Sequence, residues 1–160
     1  MLTYRPATPA EFPQLAELRW QFRAEHDAAH PKFDASEAAR AEFTAACLDF
    51  LRESHAEGRW TFWIAVDGDG TIVSNAYVYR VPKVPRPGRL RGQMGYVTNV
   101  YTRLERRGQG IGAQLLGCMQ AWARENGIER LILWPAEGRQ DFYARLGFGP
   151  GEALEWENGD

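Results

Sequence analysis

The chain is short of several residues on which particular chemistries depend. It has two cysteines, Cys47 and Cys118, in 160 residues. They show neither metal-type spacing nor a disulfide framework, and in predicted helices they read as reduced thiols of a cytoplasmic protein. Three histidines leave little for a metal centre. Charge of either sign is nearly balanced, with a formal net charge of −2, which argues against a general nucleic-acid binder. No apolar run approaches a membrane span, and the N-terminus has no signal-peptide pattern. The length suits a single domain, taken here as residues 1–160, with room for a proper core.

Glycine and proline are plentiful and unevenly placed. Thr8-Pro9-Ala10-Glu11 combines an N-cap, a proline at a first helical position and the Glu of a capping box. Phe12, Leu15, Leu18 and Phe22 give the helix that follows an apolar face. Asp34-Ala35-Ser36-Glu37 starts a second helix, striped by Phe43, Cys47, Phe50 and Leu51 and closed by Gly58. Trp60–Val66 and Ile72–Val81 are strand-like, and Asp67-Gly68-Asp69-Gly70 between them signals a hairpin. Pro82, Pro85 and Pro87 predict an irregular loop before the next strand, which ends in Tyr96–Thr102.

The most informative segment comes next, Arg107-Gly108-Gln109-Gly110-Ile111-Gly112. It joins that strand to a helix whose Ile111, Leu115, Met119 and Trp122 share one face. Glycines let backbone approach a ligand, and a helix start offers free N–H groups and the positive end of a dipole. No good side-chain N-cap stands near Gly110, so a phosphate or pyrophosphate can take that role. A Walker A loop would need Lys and a hydroxyl here. A dinucleotide fingerprint would need different glycine spacing and an acid after the next strand, whereas Glu129 falls before it. The plain alternative is a loop that only turns a corner.

A strand, Leu131–Trp134, and a short helix through Phe142-Tyr143-Ala144-Arg145-Leu146-Gly147-Phe148 follow. Strand, R-G-Q-G-I-G, helix, strand, then F-Y-x-x-L-G-F resembles the GNAT superfamily of acyl-CoA N-acyltransferases. The resemblance covers about Tyr96–Phe148, and Tyr4-Arg5-Pro6-Ala7-Thr8 with the two helices after it looks like that family's opening. It implies an α/β fold with a mixed, twisted central sheet flanked by helices, in the order β-α-α-β-β-β-α-β-α-β. The last strand would fall near Leu154–Trp156.

The implied activity is acetyl transfer from acetyl-CoA to a primary amine. Val100, Tyr101 and Thr102 would pair with the pantetheine arm like an added strand. Backbone amides over Arg107, Gly108, Gln109, Gly110, Ile111, Gly112 and Ala113 would hold the pyrophosphate. Tyr143 matches the family's general-acid tyrosine; otherwise it is a core aromatic beside Phe142. A backbone N–H near Val100 would steady the oxyanion. Leu104, where many members have proline, and Ala136, where many have asparagine, depart from the pattern. The base is unassigned, with Glu25 no better a candidate than a bound water.

Other constellations carry less. His26-Asp27-Ala28-Ala29-His30 imitates H-E-x-x-H, but Asp replaces Glu and Pro31 follows at once, so no metal is expected. Lys83, Arg86, Arg89 and Arg91 make a basic loop at the far end of their strand from the glycines. Trp20 belongs either to the core or to the acceptor pocket. Polyamines, aminoglycosides, amino acids and protein N-termini or lysines all remain open as acceptors, as does a homodimer. Two other classes compete: a catalytically inactive acyl-CoA sensor, and a nucleotide-binding module without acyl chemistry.

Overall fold

A computed structural model describes residues 1–159. The capping signals act locally as anticipated. Glu11 accepts hydrogen bonds from the Thr8 N–H at 2.8 Å and hydroxyl at 3.1 Å, while Arg5 grips the same carboxylate at 2.7 and 2.9 Å. A single 3₁₀ turn, Pro9–Glu11, then feeds α1, Phe12–Asp27. Ser36 caps α2, Glu37–Glu57, by accepting from the Ala39 N–H, and Gly58 closes it in the left-handed conformation.

Five strands form one sheet in the order β1-β2-β3-β4-β5. They are β1 (Thr3–Pro6), β2 (Trp60–Val66), β3 (Ile72–Lys83), β4 (Gly92–Thr102) and β5 (Ile128–Ile132). The first three pairings are antiparallel and β4 with β5 is parallel, because α3, Ile111–Glu125, crosses over between them. The last helix is α4, Gln140–Arg145.

Both faces of the central strands are buried. Successive side chains of a strand point to opposite faces. Phe62 and Ile64 therefore join Phe12, Leu15, Leu18 and Leu51 under α1 and α2. Trp63, Ala76, Val78 and Val97 join Leu115, Leu116 and Met119 under α3. Each fully buried Leu or Ile of these layers contributes on the order of 2 kcal/mol.

Three sequence expectations shift. β3 runs through Pro82 to Lys83 rather than breaking at Val81, since Pro82 stands next to the strand's end, opposite Gln93, where a lost N–H costs little. β5 begins at Ile128 and ends at Ile132, earlier than Leu131–Trp134; its register with β4 is Gln93↔Ile128 through Tyr96↔Ile132, and Pro135 lies just beyond. The strand expected near Leu154–Trp156 does not form among the described residues. Leu154 and Trp156 are 99% and 84% exposed, so no apolar burial holds that segment against a neighbour.

Candidate active site

The parallel pairing of β4 with β5 stops at Tyr96 and Ile132, yet β4 runs on to Thr102. Past that point β4 has a free edge facing away from β3. Its register with β3 also slips, from Tyr77↔Thr98 to Asn75↔Tyr101, which places a bulge around Asn99 and Val100. Asn99 has φ 51°, the one positive φ on a non-glycine among the described residues. Asparagine tolerates this conformation, and an Asn inside a β-branched strand was the sequence signal for it. The bulge is pinned: the Asn75 side chain donates to Asn99 O at 2.6 Å, and Arg19 of α1 donates to Asn99 Oδ1 at 3.0 Å.

Beyond the bulge the strand regains its alternation. The Arg103 N–H reaches Val73 O at 3.0 Å, and Tyr101 O accepts from the buried Ser74 hydroxyl at 2.9 Å. Backbone groups of Val100 and Thr102 therefore face the open edge. The Thr102 carbonyl is already in use, since Arg107 Nε donates to it at 2.9 Å.

The glycine loop sits at this end of β4. Gly108 and Gly110 both have φ 75°, which a residue with a Cβ adopts only with strain. Gly112 answers a different need: a Cβ there would lie 3.3 Å from Thr102 Oγ1 and 3.7 Å from Phe142, so α3 packs tightly against β4 and α4. Gly110 is the N-cap of α3 and offers no side chain. The first helical bond runs from Gln114 N–H to Gly110 O at 3.0 Å, which leaves the amides of Ile111, Gly112 and Ala113 without intrahelical acceptors. The Ile111 side chain is buried with Ala65 and Val73, so only its backbone faces the loop. Gln109 turns back to Glu105 O at 3.4 Å. These free amides at a helix start fit an anionic group of pyrophosphate type.

Arg107 has a second partner that the sequence did not reveal. Its guanidinium pairs with Glu25 at 2.6 Å and lies 5.5 Å from the Tyr101 ring centre, while the Tyr101 hydroxyl donates to Glu25 at 2.5 Å. Burial raises the Glu25 pKa, but the bonds from Tyr101 and Arg107 outweigh it and hold the carboxylate below its ordinary value. Glu25 is thus a clamp joining α1, β4 and the loop, poorly suited to take a proton from an amine.

Tyr143 lies on α4, half-buried between Phe142 and Phe148 at ring separations of 5.0 and 5.8 Å. Burial raises its pKa, opposed by Arg139, so the hydroxyl keeps its proton at neutral pH. Tyr143 and Val100 pack against the same apolar cluster around Leu115, Leu116 and Met119. Tyr143 also lines a cleft of about 1080 Å³ along the outer side of β5. The glycine loop does not line that cleft, so the two parts of the site meet through the core rather than across one cavity.

The remaining sequence candidates fall outside the loop. α1 ends at Asp27, so His30 is not on the helix with His26, whose Nδ1 lies 2.9 Å from Phe22 O. Among the described residues no group of three His, Cys, Asp or Glu is placed to hold a metal ion. Trp20 is buried against Phe33 and Phe43 as core. Lys83, Arg86 and Arg89 converge on Glu129 at the opposite end of β4. No helix among the described residues is long and apolar enough to cross a membrane.

A mixed sheet thus opens beside a bulged strand, with helix-start amides at the mouth. The model of the Acetyltransferase (GNAT) family matches residues 12–148, and the chain belongs to that family. Solved structures share the fold. A predicted acetyltransferase with acetyl-CoA from Clostridium acetobutylicum is 23% identical with a TM-score of 0.76, covering 99% of this chain and 96% of its own. A GCN5-related N-acetyltransferase from Ralstonia eutropha is 24% identical with a TM-score of 0.75, covering 99% of both chains. An aminoglycoside acetyltransferase from an uncultured soil metagenomic sample, in complex with sisomicin, is 14% identical with a TM-score of 0.73, covering 99% of this chain and 95% of its own. No curated protein matches the sequence.

Proposed function

We propose that the chain, as one unit over residues 1–160, is a cytoplasmic N-acetyltransferase that moves an acetyl group from acetyl-CoA to a primary amine. The observation that carries this reading is the set of unpaired amides at the start of α3 beside the free edge of β4. Acetyl-CoA supplies an acyl group activated as a thioester. The loop backbone from Arg107 to Ala113 binds its pyrophosphate, and the Val100 backbone with the Thr102 N–H pairs with the pantetheine arm, the Thr102 carbonyl being held by Arg107. An amine acceptor fits the family and the sisomicin complex of one structural neighbour. The free thiols of Cys47 and Cys118 suit a reducing compartment.

The chain's residues divide the chemistry. The neutral amine forms the new N–C bond as the C–S bond breaks, and its proton leaves through water. The Val100 N–H, exposed by the bulge, donates to the carbonyl oxygen where charge develops. Tyr143 delivers its phenolic proton to the departing thiolate and is reprotonated from solvent.

Calorimetry with CoA and acetyl-CoA tests the binding half. Wild-type protein should bind both, and Gly110→Val or Gly112→Val should weaken binding at least tenfold, by straining the cap or by pushing α3 off Thr102. Equal affinity in all three proteins overturns the assignment. CoA release with a panel of amines separates an enzyme from a binding-only module.

A further inference from the structure

Arg19 of α1 is a half-buried guanidinium without a carboxylate. The acids closest to it in sequence are all engaged elsewhere: Glu17 by Arg40, Glu25 by Arg107 and Asp27 by Arg23. Its one side-chain hydrogen bond runs to Asn99 Oδ1 at 3.0 Å, and the Phe22 ring lies beneath it with the centroid 5.2 Å away. Burial first, and then repulsion from Arg23, lowers its pKa, which marks a cation poorly solvated and poorly paired. The neighbouring Asn99 Nδ2 is buried and faces the Tyr77 hydroxyl without a hydrogen bond of good geometry. Buried donors are normally satisfied, and a charged one left unpaired is costly. Two such donors stand together at the bulge, one residue from Val100, on the face covered by α1 and α2.

We infer that Arg19 is a specificity-determining residue that binds a carboxylate of the acceptor, making the acceptor class amino acids rather than polyamines or aminoglycosides. The inference rests on the acetyl-transfer reading above. One N–H of the guanidinium is spent on Asn99, and four remain, enough for a bidentate grip on a carboxylate. Through Asn99, the residue before Val100, the guanidinium stands beside the bulge at which the amine would attack. A polycationic acceptor would meet Arg19 as a like charge, whereas Arg23 is already paired with Asp27.

The test compares the twenty common α-amino acids, β-alanine and 4-aminobutanoate with their methyl esters, and with spermidine and kanamycin. CoA release is the readout in wild type, Arg19→Gln and Arg19→Lys, with Tm measured for each. At least one amino acid should exceed its ester by tenfold or more in kcat/KM. In Arg19→Gln that ratio should collapse by about tenfold to a hundredfold, chiefly through KM, the range of a charge-assisted hydrogen bond. Arg19→Lys should keep part of it. Three results overturn the inference: preference for esters, spermidine or kanamycin in wild type; an unchanged ratio in Arg19→Gln; or acid and ester rates falling together, as expected if Arg19 only braces the bulge. Calorimetry against the CoA complex covers the case of no turnover, since no binding of any carboxylated amine also overturns it. Failure of wild type to bind CoA at all sinks the acetyl-transfer reading instead.

Discussion

The two ends of β4 are built to opposite purposes. At its start the strand is sealed on both sides, paired to β3 and to β5 from Gln93 to Tyr96. Glycines admit that closeness: a Cβ at Gly92 would run into the Glu129 carboxylate, and one at Gly95 would lie 2.6 Å from Leu131 and 2.9 Å from Val78. Three cations there share one carboxylate, with Lys83 and Arg89 at 2.8 and 3.2 Å from Glu129 and Arg86 at 3.7 Å. At its finish β4 loses β5, bulges at Asn99 and faces helix-start amides without intrahelical acceptors and a guanidinium without a carboxylate. What differs is the backbone: the open end presents helix-start amides without intrahelical acceptors, and the sealed end does not. The basic loop has more cations, but its carboxylate is already in place.

The largest effect should come from the tyrosine on α4, which packs on the same apolar cluster as Val100 of the open end. Tyr143→Phe removes only a hydroxyl, so Tm and CoA affinity should hold while turnover falls roughly tenfold to a thousandfold. kcat and kcat/KM should drop together in steady-state kinetics across pH, as for a contact made only in the transition state. Wild-type turnover in this variant reduces Tyr143 to a core aromatic.

Breaking the sealed end should cost stability and leave chemistry alone. Gly95→Val inserts methyl groups between Leu131 and Val78, and urea unfolding should show a loss of roughly 2–3 kcal/mol. CoA affinity of the folded fraction should stay near wild type. A variant that folds normally but no longer binds CoA would blur the distinction between the two ends.

The smallest effect sharpens the contrast with a carboxylate remote from both. A hydrogen bond from Arg5 is the main cause that takes the Glu11 pKa down from 4.5 to about 2. A depressed carboxylate pKa contributes stability above the unfolded value, and that contribution is lost as pH falls through the folded one. Stability should therefore be level at neutral pH and decline between about pH 5 and 2. Arg5 is 38% exposed, so solvent screening limits the contribution to about 1–2 kcal/mol. Glu11→Gln should flatten that part of the pH dependence in urea titrations, with acetyl transfer unaffected.

Much of this was legible in the residues because it is local. Caps, the Asp67–Gly70 hairpin, the α3 stripe and the uncapped glycine loop each depend on neighbours within a few positions, and each forms. Element ends were less legible. β5 is placed by its register against β4, and Leu154 and Trp156 stay exposed rather than paired along its free outer edge. The sequence by itself determined the α/β order from β1 to α4 and the uncapped glycine start of α3, since periodicity and glycine conformation act over one or two turns of chain. Only the tertiary structure decided which charges are spent. Arg19 meets Asn99 across 80 positions and Arg107 meets Glu25 across 82, and such pairings arise only when a strand and a helix are brought together by the core between them.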